Sequence, residues 1–252
     1  MSDETTPIGD DIILCVPGLW EDRSAFLAAL LESSGGRFIA AGGLLLETET
    51  KESAGFQFEE TANAHLSQAF GHAAMDQLSE DTMASLAAHK SVLYLLMSYD
   101  GPASHDGIRL ISKAVHEAGG LAVKIETAGL AFEFDNWLQA IEHDIPAVWY
   151  ENFVCHLAQD NDGTSMRSVG MQQFSLPEAA IDGHDDLEEA SQILMIFNVY
   201  QMCERPELAQ GQTFSTTEDG PVWTLSHTKD ANYDNDDLFY NSEGVWQLTK
   251  AA

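Results

Sequence analysis

Residues 91–98 read Ser-Val-Leu-Tyr-Leu-Leu-Met-Ser and form the clearest strand pattern in the chain. Nearly every residue is apolar, which is typical of a strand covered on both faces of its sheet. Apolar residues then recur at helical spacing over residues 104–117, and Gly119-Gly120 ends that helix. A further apolar run follows at residues 121–125. The stretch 91–125 therefore predicts a strand–helix–strand unit whose strands are parallel and joined by a right-handed crossover.

Outside this unit, the helical spacing of apolar residues and short apolar runs predict further helices and strands along the whole chain. Helical spacing occurs at residues 21–32, 61–74, 80–89, 134–141 and 185–203. Strand patterns occur at residues 12–16, 37–47, 55–59, 147–154, 222–226 and 244–248. We predict an α+β protein in which helices pack on a mixed sheet. It is either a single globular unit over residues 1–252 or two packed halves, 1–158 and 164–252, separated by the turn cluster at 160–163.

The charge of the chain is its most unusual property. It contains 41 Asp and Glu against 11 Lys and Arg among 252 residues, a net charge of −30. A folded surface of roughly 11,000 Å² would carry one negative unit per roughly 370 Å². The resulting spacing of about 19 Å exceeds the ~8 Å Debye length at physiological salt, so self-repulsion is tolerable. Nucleic acids and anionic membranes should be repelled, and no such partner is predicted.

Three explanations of this acidity stay open. It can reflect the proteome of a salt-adapted organism, an acidic face that recognises a basic protein partner, or a general drift toward solubility. No dense run of consecutive acids indicates a mimic of nucleic acid.

The cysteines and the apolar runs predict a cytoplasmic protein. Cys15, Cys155 and Cys203 are far apart and form no Cys-X-X-Cys motif, as expected of reduced thiols. The acidic N-terminal residues lack the basic region of a secretory signal. Apolar runs such as 92–97 and 193–197 are far shorter than the ~20 residues that span a membrane. No cofactor is predicted, and the oligomeric state is left open.

The loop after the strand at 91–98 holds the candidate catalytic residues, which are Asp100, Ser104, His105 and Asp106. A carboxylate, a hydroxyl and an imidazole lie there at the end of a strand, where open α/β sheets often bind ligands. A structural explanation competes with this one. Ser104 is a plausible N-cap of the following helix, and Asp106 complements the helix dipole. Neither a nucleophile elbow nor a phosphate loop accompanies the cluster.

A second candidate site is a loop with oxygen side chains at alternate positions, namely Asp230, Asn232, Asp234 and Asp236. Calcium loops use this spacing. However, Asn235 stands where such a loop requires glycine, and Asn241 replaces its final glutamate. A solvated loop between strands is therefore favoured, and no metal site is predicted.

One segment indicates a family. Residues 167–181 read Arg-Ser-Val-Gly-Met-Gln-Gln-Phe-Ser-Leu-Pro-Glu-Ala-Ala-Ile and resemble the bacterial family known as domain of unknown function 4261. That family has a Leu-Gly-Met-type strand, a Gly-X-Pro-Glu-like turn and a long helix. A later Gly-Asp-Thr-like segment is matched by residues 211–213, and residues 119–123, followed by Trp137, also fit.

The resemblance covers the last half to two-thirds of the chain and departs from the family at two positions. Ser175 stands where glycine is usual, and Gln212 stands where aspartate is usual. The resemblance implies a bacterial cytosolic α+β domain. It transfers no catalytic residue, because none is established for the family.

Three functions are compatible with the sequence. The first is a non-enzymatic binding or interaction protein that recognises a basic partner through its acidic surface. The second is a hydrolase or metal-dependent enzyme that uses the loop from Asp100 to Asp106. The third is a structural subunit of an oligomer that packs through the apolar helix at 187–200. We favour the first, because the charge is strongly one-sided and no catalytic motif is present.

Overall fold

The computed structural model describes residues 11–158 and 165–251. These residues form two compact units, which we call the N-terminal unit (11–144) and the C-terminal unit (145–158 and 165–251). Each unit contains its own β-sheet with α-helices, so the α+β class predicted from the sequence is confirmed. The turn cluster at 160–163, which the sequence predicts as a boundary, lies outside the described residues.

The N-terminal unit is built on a seven-stranded antiparallel sheet with the strand order β2-β3-β4-β5-β1-β6-β7. Its strands are β1 (Asp11–Gly18), β2 (Phe38–Ala41), β3 (Leu44–Glu47), β4 (Ser53–Glu59), β5 (Ser91–Ser98), β6 (Ala122–Ile125) and β7 (Leu130–Glu133). Its helices are α1 (Arg23–Ser33), α2 (Leu66–Ala73), α3 (Glu80–Ala87), α4 (His105–Glu117) and α5 (Phe134–Ala140).

The predicted strand–helix–strand unit is present as β5, α4 and β6, with one strand inserted. β1 lies between β5 and β6 and pairs with both of them in antiparallel orientation. The two outer strands of this trio are therefore parallel to each other, as the sequence predicts. β1 is buried along almost its whole length, which explains its continuous apolar run.

The C-terminal unit is built on a six-stranded mixed sheet with the order β11-β12-β13-β10-β9-β8. Among the described strands of this sheet, β10 and β13 pair in parallel and the other neighbours are antiparallel. Its strands are β8 (Cys155–Ala158), β9 (Met166–Val169), β10 (Glu178–Ile181), β11 (Thr213–Ser215), β12 (Val222–Thr228) and β13 (Val245–Lys250). Its helices are α6 (Pro146–Phe153) and α7 (Leu187–Glu204).

Helix α7 provides the core of this unit, although it is buried on one face only. Ile193, Leu194 and Phe197 are buried against the sheet residues Trp223 and Leu248. The sequence predicts that the second half of the helix is buried all round, which is wrong, since Ile196 and Tyr200 are 40% and 37% exposed. Among the described residues, no helix is both long enough and apolar enough to cross a bilayer.

Residues 147–153 belong to helix α6, so the strand predicted over residues 147–154 is wrong. Trp149, Tyr150 and Phe153 have high strand propensity, but they also fall at helical spacing and are buried together on one side of α6. Pro146 occupies the start of the helix, where its missing N–H costs nothing. Packing of the three aromatic rings thus overrides local propensity.

The strand predicted over residues 37–47 is instead a β-hairpin of β2 and β3. Ala41 pairs with Leu44, so Gly42 and Gly43 form a two-residue turn. Gly42 has a φ of 64°, a positive value that such a turn requires at its first position. The glycine pair is the local sequence signal for this turn.

Candidate functional site

The candidate catalytic residues lie at the junction between β5 and α4. A 3-10 turn, Gly101–Ser104, joins the two elements and runs directly into the helix. Ser104 therefore has helical backbone angles, and its hydroxyl does not cap α4 as predicted. Its Oγ instead accepts a hydrogen bond from the N–H of Asp100 at 2.7 Å. This bond closes the loop on itself.

His105 is buried, with only 4% of its surface exposed, and both of its ring nitrogens have partners. Nδ1 lies 2.8 Å from Oδ1 of Asp144, and Nε2 lies 3.2 Å from the hydroxyl of Tyr99. A carboxylate can only accept, so Nδ1 carries the proton and donates it to Asp144. Nε2 of the neutral ring then accepts from Tyr99. The ring is thus held in one tautomer.

Electrostatics at this cluster favour a neutral imidazole beside an ionised carboxylate. Burial lowers the pKa of His105, against the opposite effect of Asp144. Hydrogen bonds from Arg109 and His105 lower the pKa of Asp144. Arg109 also binds Asp106 at 3.0 Å, so Asp106 belongs to a surface ion pair.

The four candidate residues do not converge on one point. Asp100 and Ser104 line a small cavity of about 190 Å³, together with Glu52 and Ser98, but His105 and Asp106 are not among its lining residues. Ligand pockets usually measure about 300–1,000 Å³. The cavity is therefore too small for most organic ligands, and its imidazole neighbour is not directed into it.

Gly107 gives this cavity its polar wall. A Cβ atom at residue 107 would overlap the carboxylate of Glu52, so only glycine allows that carboxylate to approach the first turn of α4. The close approach places the Glu52 carboxylate beside the N-terminus of α4.

A second histidine network, which the sequence does not predict, lies in the C-terminal unit. Nε2 of His156 is 2.5 Å from the hydroxyl of Tyr150, and Nδ1 is 2.6 Å from Oγ of Ser191. The amide of Asn198 donates to the Tyr150 oxygen at 3.0 Å, and Gln201 donates to Asn198 in turn. No local sequence motif indicates this network, because its residues come from α6, β8 and α7.

The direction of the hydrogen bonds excludes a serine nucleophile activated by His156. Burial raises the pKa of Tyr150 and lowers that of His156 to about 4, so the phenol is protonated and the ring is neutral. The Tyr150 oxygen accepts from Asn198, and the proton that the phenol retains has Nε2 of His156 as its acceptor. Nδ1 then carries the proton and donates to Ser191. The serine hydroxyl is an acceptor here, whereas a nucleophile would donate to the base.

The predicted oxygen-rich loop is anchored by Asp230. The carboxylate of Asp230 accepts two hydrogen bonds from the buried guanidinium of Arg167, with an Nη1–Oδ1 distance of 2.8 Å. It also accepts from the backbone N–H groups of Asn232 and Asn241. The remaining candidates, Asn232, Asp234 and Asp236, are exposed. Within residues 11–158 and 165–251, no three His, Cys, Asp or Glu side chains are grouped to hold a metal ion.

Glu178 is a second buried acid in this region, and its contacts indicate a structural role. Its carboxylate accepts from the hydroxyl of Ser168, from the N–H groups of Gly170 and Met171, and from the amide of Asn241. These four donors satisfy the carboxylate where water cannot reach it. Glu178 thereby holds the turn that follows β9.

Comparison with known proteins leaves the chain without an assigned family. No protein-family model matches the sequence, and neither a curated protein nor a solved structure was found to be similar to it. The resemblance to domain of unknown function 4261 therefore stays a prediction. Ser175, where that family usually has glycine, has a φ of 53°, a backbone conformation that favours glycine.

Proposed function

We propose that the protein is a non-enzymatic binding protein of the bacterial cytoplasm whose acidic surface recognises a basic partner protein. The observation that carries the proposal is the way in which the few basic side chains are used. Six Lys and Arg side chains of the described residues form ion pairs with eight carboxylates, and they are Arg37, Lys90, Arg109, Lys113, Lys124 and Arg167. Arg23 and Lys51 donate to backbone carbonyls.

This use of the cations leaves most carboxylates of the described residues without a Lys or Arg partner. The eight paired acids are a small part of the Asp and Glu residues that the structure describes. The start of α7 is an example, with five exposed acids within eight residues: Asp182, Asp185, Asp186, Glu188 and Glu189. Of these, Glu189 lies 3.4 Å from Nε2 of His184, and none of the five pairs with a Lys or Arg of the described residues. A positively charged protein would be attracted to such a surface, and its association would be accelerated.

The two histidine networks support binding rather than catalysis. In each network Nδ1 of the histidine donates to a carboxylate or a serine hydroxyl. Nε2 of the same ring accepts from a tyrosine hydroxyl. A general base needs an available ring nitrogen that faces the substrate. These rings tie elements of one unit together instead.

Each alternative function has less support. An enzyme that uses Asp100, Ser104, His105 and Asp106 would have to bind its substrate in a cavity of about 190 Å³ that His105 does not line. A structural subunit would need an apolar stripe on α7, but of its large apolar side chains only Ile196 and Tyr200 are more than a third exposed.

Affinity capture tests the proposal. The immobilised protein is exposed to cytoplasmic extract of its host at about 0.15 M salt, where charges act over about 8 Å. A parallel column of polyglutamate is the control, because it identifies proteins that bind any acidic polymer. We expect one basic protein to be retained in a stoichiometric complex, confirmed with the two purified proteins by calorimetry, and to be released as salt is raised toward about 1 M.

Two results would overturn the proposal. One is that the column of immobilised protein retains no more basic protein than the polyglutamate column does. The other is a retained partner whose affinity does not change with salt, because such binding would not depend on the acidic surface.

A further inference from the structure

The C-terminal unit has an open groove beside the edge strand β11. The groove has a volume of about 750 Å³, within the usual range for ligand sites. Its apolar walls come from the end of α7, the following loop and the sheet: Tyr200, Pro206, Leu208, Phe214 and Leu225. Tyr200 stacks on Phe214 at a ring distance of 6.1 Å, and 37% of Tyr200 is exposed.

A β-bulge sets the register of β11 and thereby the direction of its backbone groups. The carbonyl of Leu225 accepts from Gly211 N–H, and the N–H of Leu225 donates to the Gln212 carbonyl, both at 2.8 Å. Gly211 has the φ of 81° that this kind of bulge requires. Residues whose backbone is hydrogen-bonded to the neighbouring strand alternate along an antiparallel strand. The backbone N–H and C=O groups of Phe214 therefore point toward β12, and those of Thr213 and Ser215 point away from it.

The outer side of β11 is available for pairing. β11 is the last strand of its sheet, and within the described residues no other strand pairs with it there. An exposed edge of this kind is a template for an additional strand. Side chains of an added strand alternate, so every second one would enter the groove beside Phe214.

The charge around the groove selects a basic occupant. Residues 204–219, which form most of it, contain Glu204, Glu207, Glu218 and Asp219 against the single base Arg205. Glu207 lies in the groove wall itself. A second copy of this chain is a poor occupant, because each copy carries a net charge of −30.

We propose that β11 and its groove bind an extended segment of a basic partner as an added strand, with apolar side chains at alternate positions in the groove and Lys or Arg between them. This inference rests on the proposed function and names the surface that performs it. Backbone hydrogen bonds to Thr213 and Ser215 provide general affinity, and the groove provides selectivity.

Two peptides of identical composition test whether apolar side chains at alternate positions favour binding. The first is Lys-Lys-Val-Lys-Val-Lys-Lys, in which both valines can face the groove. The second is Lys-Lys-Val-Val-Lys-Lys-Lys, in which only one can. We expect the first to bind about tenfold more tightly by fluorescence anisotropy, since one further valine is buried. In the first peptide, methylating the backbone nitrogens either of the two valines or of the lysines at peptide positions 2, 4 and 6 should abolish binding in one case only, because alternate N–H groups face β11.

Two charge variants locate the site. Glu207→Lys and Glu151→Lys change the net charge equally, but residue 151 lies on α6 and does not line the groove. We expect Glu207→Lys to weaken the first peptide at least fivefold more than Glu151→Lys does. In the wild-type protein, the amide protons of Thr213 and Ser215 should gain exchange protection when the peptide is added.

The outcomes separate the inference from the function on which it rests. Equal affinity for the two peptides, or equal effects of the two variants, refutes the groove as the binding site. Salt-dependent binding of both peptides would in that case still support the proposed function. Failure of every lysine peptide to bind at low salt overturns both. A dimer that dissociates when the first peptide is added would identify a second copy as the occupant and overturn the basic partner.

Discussion

The guanidinium of Arg167 donates to both carboxylate oxygens of Asp230, and at most 2% of either side chain is exposed. The pair joins β9 to the loop that follows β12. Burial is the largest single influence and opposes ionisation of Asp230, but the hydrogen bonds from Arg167, Asn232 and Asn241, together with the charge of Arg167, outweigh it and hold the pKa of Asp230 below its usual value. Tyr233 covers the guanidinium, with the ring centre 5.1 Å away. Both charges are therefore compensated where water is excluded.

Asp230→Ala should destabilise the protein by about 3–5 kcal/mol, because it leaves the Arg167 charge buried without a partner. Urea denaturation measures this loss. Asp236→Ala is the matched control, since Asp236 is exposed in the same loop, and its effect should stay within about 0.5 kcal/mol. Equal losses in the two variants would contradict a dominant role for the buried pair.

The contribution of His156 to the unfolding free energy should fall as the pH is lowered from about 6.5 to about 4. The pKa of an unfolded histidine is about 6.5, and burial lowers that of His156 to about 4. Between these values the unfolded chain binds a proton that the folded chain does not, so His156 contributes a loss of up to about 3 kcal/mol.

His156→Gln should flatten this dependence when unfolding is measured at a series of pH values. Ser191→Ala serves as the control, because it removes one hydrogen bond and should cost about 1 kcal/mol at both ends of the range. A pH slope in His156→Gln equal to that of the wild type would show that His156 titrates at its ordinary pKa.

Added salt should raise the melting temperature at neutral pH. The net charge of −30 generates repulsion in the compact state, and the Debye length falls from about 30 Å at 0.01 M to about 8 Å at 0.15 M salt. Calorimetry over this range measures the change. Near pH 4, where many carboxylates are protonated, the effect should be smaller. A melting temperature that does not respond to salt at neutral pH would contradict the expectation.

Tyr99→Phe should cost about 1 kcal/mol, because it removes the hydrogen bond to Nε2 of His105. Nitrogen NMR of the imidazole should show the proton on Nδ1 in the wild-type protein at neutral pH. Tyr200→Phe, at an exposed site on α7, should change stability by less than about 0.5 kcal/mol. A proton found on Nε2 would refute the assigned donor to Asp144.

Local sequence patterns predict those elements whose apolar residues and stop signals agree. β5, α4, α5, α7, β12 and β13 are of this kind, and each lies close to its predicted position. The four-residue strands β7, β9 and β10 are too short to show a period of two. The insertion of β1 between β5 and β6 depends on pairing partners far along the chain, which no window of residues contains.

The candidate site was predictable only in part. The loop context singles out His105, but its partner Asp144 follows 39 residues later and outside any motif. The sequence does not reveal the network of His156, Tyr150 and Ser191, because the aromatic residues at 147–154 favour a strand and Tyr150 instead lies on helix α6. β11 has only three residues, and its pairing edge is defined by a bulge at Gly211.

The central position of β1 has a consequence for synthesis on the ribosome. Cys15 pairs with Tyr94 and with Lys124, so the neighbours of the first strand emerge about 80 and about 110 residues after it. Until then the apolar run at residues 12–16 has no sheet in which to be buried, and it is open to chaperones or to aggregation. The nascent chain must therefore keep β1 unpaired on both sides until β5 and β6 have been translated.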